Sequence, residues 1–452
     1  MPDPMFTYDE KVADLIFDYC RERLSLDPVP LDFGGGRELV ASAIDGLITE
    51  GGSNAETVLG VFAEHLAPAV ISCDSPRFLS FIPAAPTKAS LLFDMVVSCS
   101  SLQGTSWLEA AGAVAAENQA LRVLADLAGL PPGAGGCFVS GGSIGNLSAL
   151  VVARDTAAER RGRAPDHPRI AISEEAHSSV GNALRVIGVE PLLVPTDDHR
   201  LIGDAVRAAL AADGAADEVV GVVATGGTTN AGIVDDLAGI GRLAAERALW
   251  FHVDAAYGGA ALFAPSARWR FDGIELADSM IVDPHKWLFA PFDCAALLYR
   301  RPELARRVHT QSAGYLAVLH DEDDPPWNPS DYAFQLTRRA RGLPLWFSLA
   351  VNGTAAYRHS VETVLETARR SAELVRAAPQ LELLRQPELS VVLFRRLGWG
   401  WEDYQRWSAR LLADQIGFVT PSLWEGETVG RLCFLHPHTT LEMVAEILAT
   451  TA

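Results

Sequence analysis

Lys286 stands in Asp283-Pro284-His285-Lys286-Trp287, directly after the apolar run Ser279-Met280-Ile281-Val282. The 452-residue chain holds only three lysines, Lys11, Lys88 and Lys286, against 34 arginines. Arginine supplies the same charge but keeps its proton at neutral pH. Lysine can lose that proton and attack a carbonyl, most readily when partly desolvated. A lysine kept where arginine is the rule reads as a Schiff-base nucleophile. The plainer alternative is a surface survivor.

Other segments carry compatible chemistry. Ser140-Gly141-Gly142-Ser143-Ile144-Gly145-Asn146 joins a strand-like run to a helix-like one, where glycines and free N–H groups suit a phosphate. Alone, it is equally a tight turn. Asp254, in His252-Val253-Asp254-Ala255-Ala256-Tyr257, ends an apolar strand, where an acid is costly unless it meets a cation. The protonated ring nitrogen of a pyridine would serve; a capping or salt-bridged aspartate is the alternative. Lys286 follows 32 residues later and one strand on. Phosphate cradle, pyridinium partner and Schiff-base lysine are together the parts list for pyridoxal 5'-phosphate. His177 in Glu175-Ala176-His177-Ser178-Ser179 and Thr229 in Ala224-Thr225-Gly226-Gly227-Thr228-Thr229 follow further strands. Each segment alone has a bland reading. Five on successive strand ends do not, because that is where α/β sheets place ligands.

The elements that must position these residues are visible as alternation. Apolar runs at 137–139, 169–172, 191–194, 219–224, 249–253, 279–282 and 294–299 read as strands. Helix-like stretches at 144–160, 204–212 and 237–248 separate them. Repeated β-α units predict a mostly parallel, seven-stranded sheet covered by helices. Before it, 11–24 and 56–66 read as amphipathic helices, and 107–130 as a long helix stopped by Pro131-Pro132-Gly133. After it, a helix near 361–377, a strand at 389–394 and a closing helix at 441–449 predict a small α+β domain. The division expected is an N-terminal segment (1–87), a large domain (88–345) and a small C-terminal domain (346–452).

Hydrophobic residues at 49% and charged residues at 21% are the balance of a soluble globular protein. No apolar stretch spans a bilayer and no signal peptide is visible, so no membrane partner is expected. A net charge of −20 without a basic stripe argues against nucleic acid. The six cysteines are scattered without metal-ligand spacing, which points to reduced thiols in the cytoplasm and no metal.

Ser-Gly-Gly-Ser at 140, Ala-His-Ser-Ser at 176, Ala-Thr-x-Gly-Thr-Thr at 224, His-Val-Asp-Ala-Ala-Tyr-x-Gly at 252 and Pro-His-Lys-Trp at 284 together resemble the group II pyridoxal-phosphate decarboxylases. By motif the chain is similar to the aromatic L-amino-acid decarboxylases among them. The resemblance implies the fold type I, aspartate aminotransferase-like architecture and a homodimer with its active site at the interface. It implies that Lys286 forms the Schiff base and that His285 contacts the phosphate. Asp254 would pair with the pyridinium, Ala256 pack on the ring and His177 stack over it. Thr229 would lie near the cofactor's oxygen, while Gly142 and Ser143 hold the phosphate. Tyr315 matches the tyrosine that protonates the carbanion, which favours an amine over an aldehyde product. The acidic loop Asp321–Asp324 beside it is either a lid or a solvated loop.

The chain departs from the family at substrate positions. Phe81-Ile82-Pro83-Ala84 matches a substrate-pocket stretch that is usually Tyr-Phe-Pro-Thr, losing a hydroxyl and one aromatic ring, and Thr105 stands where phenylalanine reaches across the dimer. Asp283 replaces a frequent asparagine near the phosphate. The reading is decarboxylation of an L-amino acid, aromatic by resemblance, to the amine and carbon dioxide. The alternatives are an aldehyde-forming decarboxylase, a decarboxylase of acidic or aliphatic amino acids, or an aminotransferase using Arg338 or Arg431 for the α-carboxylate. A catalytically silent protein of this fold is the alternative outside enzymes.

Overall fold

The apolar runs become strands, buried on both faces except at the edge strand Glu190–Val194, which exposes one face, as β-α alternation leads one to expect. The computed structural model describes residues 4–83, 85–163, 165–214, 216–319 and 326–452. Its large sheet comprises β1 (Gly135–Val139), β2 (Arg169–Ser173), β3 (Glu190–Val194), β4 (Val219–Thr225), β5 (Trp250–Asp254), β6 (Ser279–Val282) and β7 (Ala295–Tyr299). The strand order is β1-β7-β6-β5-β4-β2-β3. Strands β3, β2, β4, β5 and β6 run parallel, and β7 is antiparallel to both β6 and β1. All seven expected strands are present within a residue or two of the expected bounds.

Helices on both faces leave the strand ends free for a ligand. Gly142–Arg161 and Ser178–Val186 start just past β1 and β2, and Leu237–Arg247 follows β4 after the loop that carries Thr229. Gly145 lets the first of these lie against β6, since a side chain there would strike Ile281.

The C-terminal region is an antiparallel sheet, order β10-β11-β9-β8, of β8 (Leu381–Leu383), β9 (Val391–Arg396), β10 (Pro421–Trp424) and β11 (Glu427–Cys433). The helix expected near 361–377 begins earlier, spanning Leu343–Ala377 across a break at Gly353, where φ is 74°. That break, which suits glycine, divides the helical pattern in the sequence. The β10–β11 hairpin was not anticipated. Its turn places Glu425 and Gly426 at positive φ without the usual Asn-Gly signal.

Candidate active site

Residues from five strand ends converge on one cavity of about 270 Å³. It is lined by all eight residues expected to hold the cofactor: Gly142, Ser143, His177, Thr229, Asp254, Ala256, His285 and Lys286. Asn146, Ser179, Tyr257 and Asp283 line it as well.

Asp254 caps the end of β5 and is 6% exposed. Its Oδ1 accepts the Ala256 N–H at 3.2 Å, and its Oδ2 accepts from Asn146 Nδ2 at 2.8 Å. Among the described residues no ion pair to it is formed, so a protonated ring nitrogen is chemically suited to its remaining face.

Lys286 sits in the short turn of helix Pro284–Trp287 with Nζ 2.9 Å from Asp283 Oδ2. Burial pushes its ammonium down. The charge and hydrogen bond of Asp283, with Asp254 behind, outweigh that and leave its pKa raised. Asp283, the departure noted above, is only 2% exposed. Its Oδ2 also accepts the Gly142 N–H at 3.2 Å, while its Oδ1 is buried without a hydrogen-bond partner. A Cβ on Gly142 would crowd both carboxylate oxygens and Ala256 and push them back by a few tenths of an ångström, so glycine allows this close approach.

Two histidines have fixed tautomers. His285 Nδ1 accepts the Cys294 N–H at 3.1 Å, so its neutral ring carries the proton on Nε2, facing Asp283 at 3.6 Å. Burial lowers its pKa against the opposing pull of Asp283. His177 caps the helix Ser178–Val186 by accepting the Ser179 N–H on Nδ1 at 3.2 Å, which leaves Nε2–H for the cavity side.

The expected substrate residues lie elsewhere. Phe81 and Thr105 are absent from the cavity lining, and so are the buried Pro83 and the exposed Tyr315 in the turn Gly314–Leu319. Phe81 adopts φ 51° and exposes its ring beside Phe78 and Phe418. Thr105 is buried, its hydroxyl accepting the Arg338 N–H at 3.4 Å. Ala84 and the loop Asp321–Asp324 lie outside the described residues.

Arg431 is 6% exposed and donates to three backbone carbonyls: Phe81 at 2.8 Å, Thr229 at 2.6 Å and Asn230 at 3.2 Å. Arg338 donates to the carbonyls of Phe138 and Gln335. Neither lines the cavity.

Sequence reasoning passed over Asn146, Ser179 and Tyr257. An asparagine one turn into an otherwise apolar helix, after a glycine turn, was the available signal for the first. Tyr257 is fixed by a hydrogen bond of its hydroxyl to Ser390 Oγ at 2.5 Å and by stacking on Trp287.

This sheet, with its lysine, aspartate and glycine turn at the strand ends, defines a pyridoxal-phosphate enzyme of fold type I. The chain belongs to the pyridoxal-dependent decarboxylase family: the pyridoxal-dependent decarboxylase conserved domain matches residues 42–397. It is 28% identical over 450 residues to the aromatic-L-amino-acid decarboxylase of Bacillus atrophaeus, covering 97% of this chain and 92% of that one. With the aromatic-L-amino-acid decarboxylase of Cavia porcellus it shares 31% over 362 residues, 76% of this chain and 75% of the relative. The solved structure of Oryza sativa TDC with PLP and tryptamine superposes with a TM-score of 0.90 at 24% identity, covering 98% of this chain and 99% of that one. The protein is a carboxy-lyase acting on an amino acid, and its cofactor is pyridoxal phosphate. Among the described residues no helix is long and apolar enough to cross a membrane.

Proposed function

We propose that the protein decarboxylates an aromatic L-amino acid to its amine, as a cytoplasmic homodimer. The observation that carries the site assignment is the convergence of Lys286, Asp254, His177 and the glycine turn on one cavity. When bound, pyridoxal phosphate supplies an electron-poor ring that accepts the electron pair left at Cα as carbon dioxide departs. The chain's own residues bind and orient. Lys286 would hold the cofactor through its carbonyl carbon, and Asp254 would keep a proton on the ring nitrogen. Gly142, Ser143 and His285 would hold the phosphate, Ala256 and His177 would pack on the ring, and Thr229 would lie near its oxygen. His177 would orient the substrate carboxylate, and Tyr315, which lies outside the cavity in the single chain, would supply the proton to Cα.

The aromatic assignment draws on the two aromatic-L-amino-acid decarboxylases above and on the exposed ring of Phe81, whose backbone carbonyl shares the Arg431 guanidinium with that of Thr229. Phe81, Pro83 and Thr105 are proposed as substrate residues. The dimer is supported by three N-terminal helices without a buried residue, Glu10–Ser25, Arg37–Ala43 and Ala55–Val61, and by the exposed Phe6, Phe17 and Ile48. The aminotransferase alternative loses its two candidate arginines, because both spend their guanidinium groups on backbone carbonyls.

Mass-spectrometric product analysis with pyridoxal phosphate and a panel of amino acids tests this reading. An amine from tyrosine, tryptophan or phenylalanine, abolished by Lys286→Ala, is the expected result. An amine from acidic or aliphatic substrates alone overturns the substrate class, and an aldehyde or keto acid overturns the reaction.

A further inference from the structure

Behind the cavity lies a chain of buried polar side chains whose direction is fixed. Trp250 Nε1 donates to Ser279 Oγ at 2.8 Å, and Ser279 Oγ lies 2.8 Å from His252 Nδ1. His252 Nε2 lies 2.9 Å from Asn146 Oδ1, and Asn146 Nδ2 is 2.8 Å from Asp254 Oδ2. Trp250, Ser279, His252 and Asn146 are each at most 2% exposed, so water cannot complete these bonds.

The polarity follows from the two ends. A carboxylate only accepts, so Asn146 must turn its amide nitrogen to Asp254 and its oxygen to His252. His252 must then carry its proton on Nε2. Burial holds the ring well below its ordinary pKa despite the Asp254 charge, so it is neutral and Nδ1 accepts. The Ser279 hydroxyl donates to it, and the indole N–H, which only donates, closes the far end. Every bond points its hydrogen toward Asp254.

Asn146 has a second amide hydrogen, and it reaches Ser179 Oγ at 3.1 Å. That oxygen stands 2.8 Å from His177 Nδ1, which accepts. One asparagine therefore serves both the ring-nitrogen partner and the histidine over the ring.

We propose that Asn146 is a positioning residue, the junction through which His252 and Ser279 hold Asp254 toward the cofactor's ring nitrogen and through which Ser179 sets His177. The inference rests on the reading of Asp254 given above. A neutral donor on Oδ2 fixes the carboxylate without cancelling its charge, so that charge stays available to the pyridinium. An aspartate at 146 would repel Asp254, and an alanine would leave both Oδ2 and His252 Nε2–H without partners.

Cofactor-free protein titrated with pyridoxal phosphate, and with the analogue carrying CH in place of the ring nitrogen, tests the junction. Asn146→Ala is expected to weaken pyridoxal phosphate binding roughly tenfold while leaving the analogue within about twofold of wild type. Equal loss for both ligands would make the role merely structural and overturn the proposal, as would no loss. Asn146→Ser, too short to reach Asp254, should give the same selective loss if the alanine variant does not fold. Asp254→Ala is the control. If it still discriminates between the two ligands as strongly as wild type, the reading of Asp254 itself fails. Selective loss in Asp254→Ala with none in the Asn146 variants overturns the junction alone. Ser179→Ala should retain the affinity for pyridoxal phosphate and lower kcat about fivefold through His177.

Discussion

Asp283 Oδ2 stands 2.9 Å from Lys286 Nζ, and the same oxygen occupies the backbone N–H of Gly142. The carboxylate thereby ties the nucleophile to the glycine turn, and its second oxygen remains buried without a partner.

Replacing Asp283 by asparagine removes the charge that raises the Lys286 pKa. The pH midpoint for reductive methylation of Lys286 in cofactor-free protein should therefore move down. The sign for stability is opposite to that for reactivity. A raised lysine pKa stabilises below lysine's ordinary 10.5 and ceases to do so as pH rises through the folded value. Asp283→Asn should thus cost about 2 kcal/mol in urea unfolding at neutral pH. An unchanged methylation profile would separate Asp283 from the lysine's chemistry.

Arg431 predicts a stability effect rather than a substrate effect. Arg431→Met strands the carbonyls of Phe81, Thr229 and Asn230 in a site 6% exposed, a loss of about 2–4 kcal/mol. Arg431→Lys, with a point charge in place of the planar fork, should recover part of it. A rise in KM with unchanged unfolding free energy would instead make Arg431 a carboxylate holder.

His199 predicts pH-dependent stability. It bridges Glu175 at 2.8 Å, two residues before His177, to Glu425 of the C-terminal hairpin at 3.0 Å, and packs against Trp424. Burial lowers its pKa, but the two carboxylates outweigh burial and leave it raised above 6.5. The contribution is therefore complete below 6.5 and fades as pH rises through the folded value. His199→Gln should lower Tm by roughly 1–3 °C more at about pH 5.5 than at about pH 8.5. Equal shifts at both pH values would mean the bridge is unprotonated throughout.

Tyr315→Phe tests the proton donor. Amine formation should fall roughly a hundredfold, with aldehyde appearing in the product mixture. An unaltered rate and product would assign protonation to another group.

The sheet was readable because each parallel strand is an apolar run between turn residues, a pattern buried β-α units impose. Lys286 and Asp254 were readable for a related reason: charged groups at the ends of such runs stand out. The β10–β11 hairpin carried no such contrast, and Gly353 masked the first turns of the helix Leu343–Ala377. Asn146 and Ser179 stayed hidden because their importance lies in whom they meet. Asn146 reaches a strand 108 residues away, and separations of that kind leave no local trace. Thr105 stands at a position the family gives to phenylalanine and Tyr315 matches a family tyrosine, yet the single chain keeps both out of the cavity.

Ser143 opens the helix Gly142–Arg161 at the cavity, and Asn146 lies on the same helix three residues further, a rise of about 4.5 Å. With the roles proposed above, one rigid rod would carry both a contact for the anchor of the ligand and the support for its ring partner. It works as a gauge: a ligand with a longer or shorter arm between phosphate and ring cannot satisfy both ends without unwinding that first turn. Discrimination against other phosphorylated aromatics would then be a property of helix geometry, set before any substrate arrives.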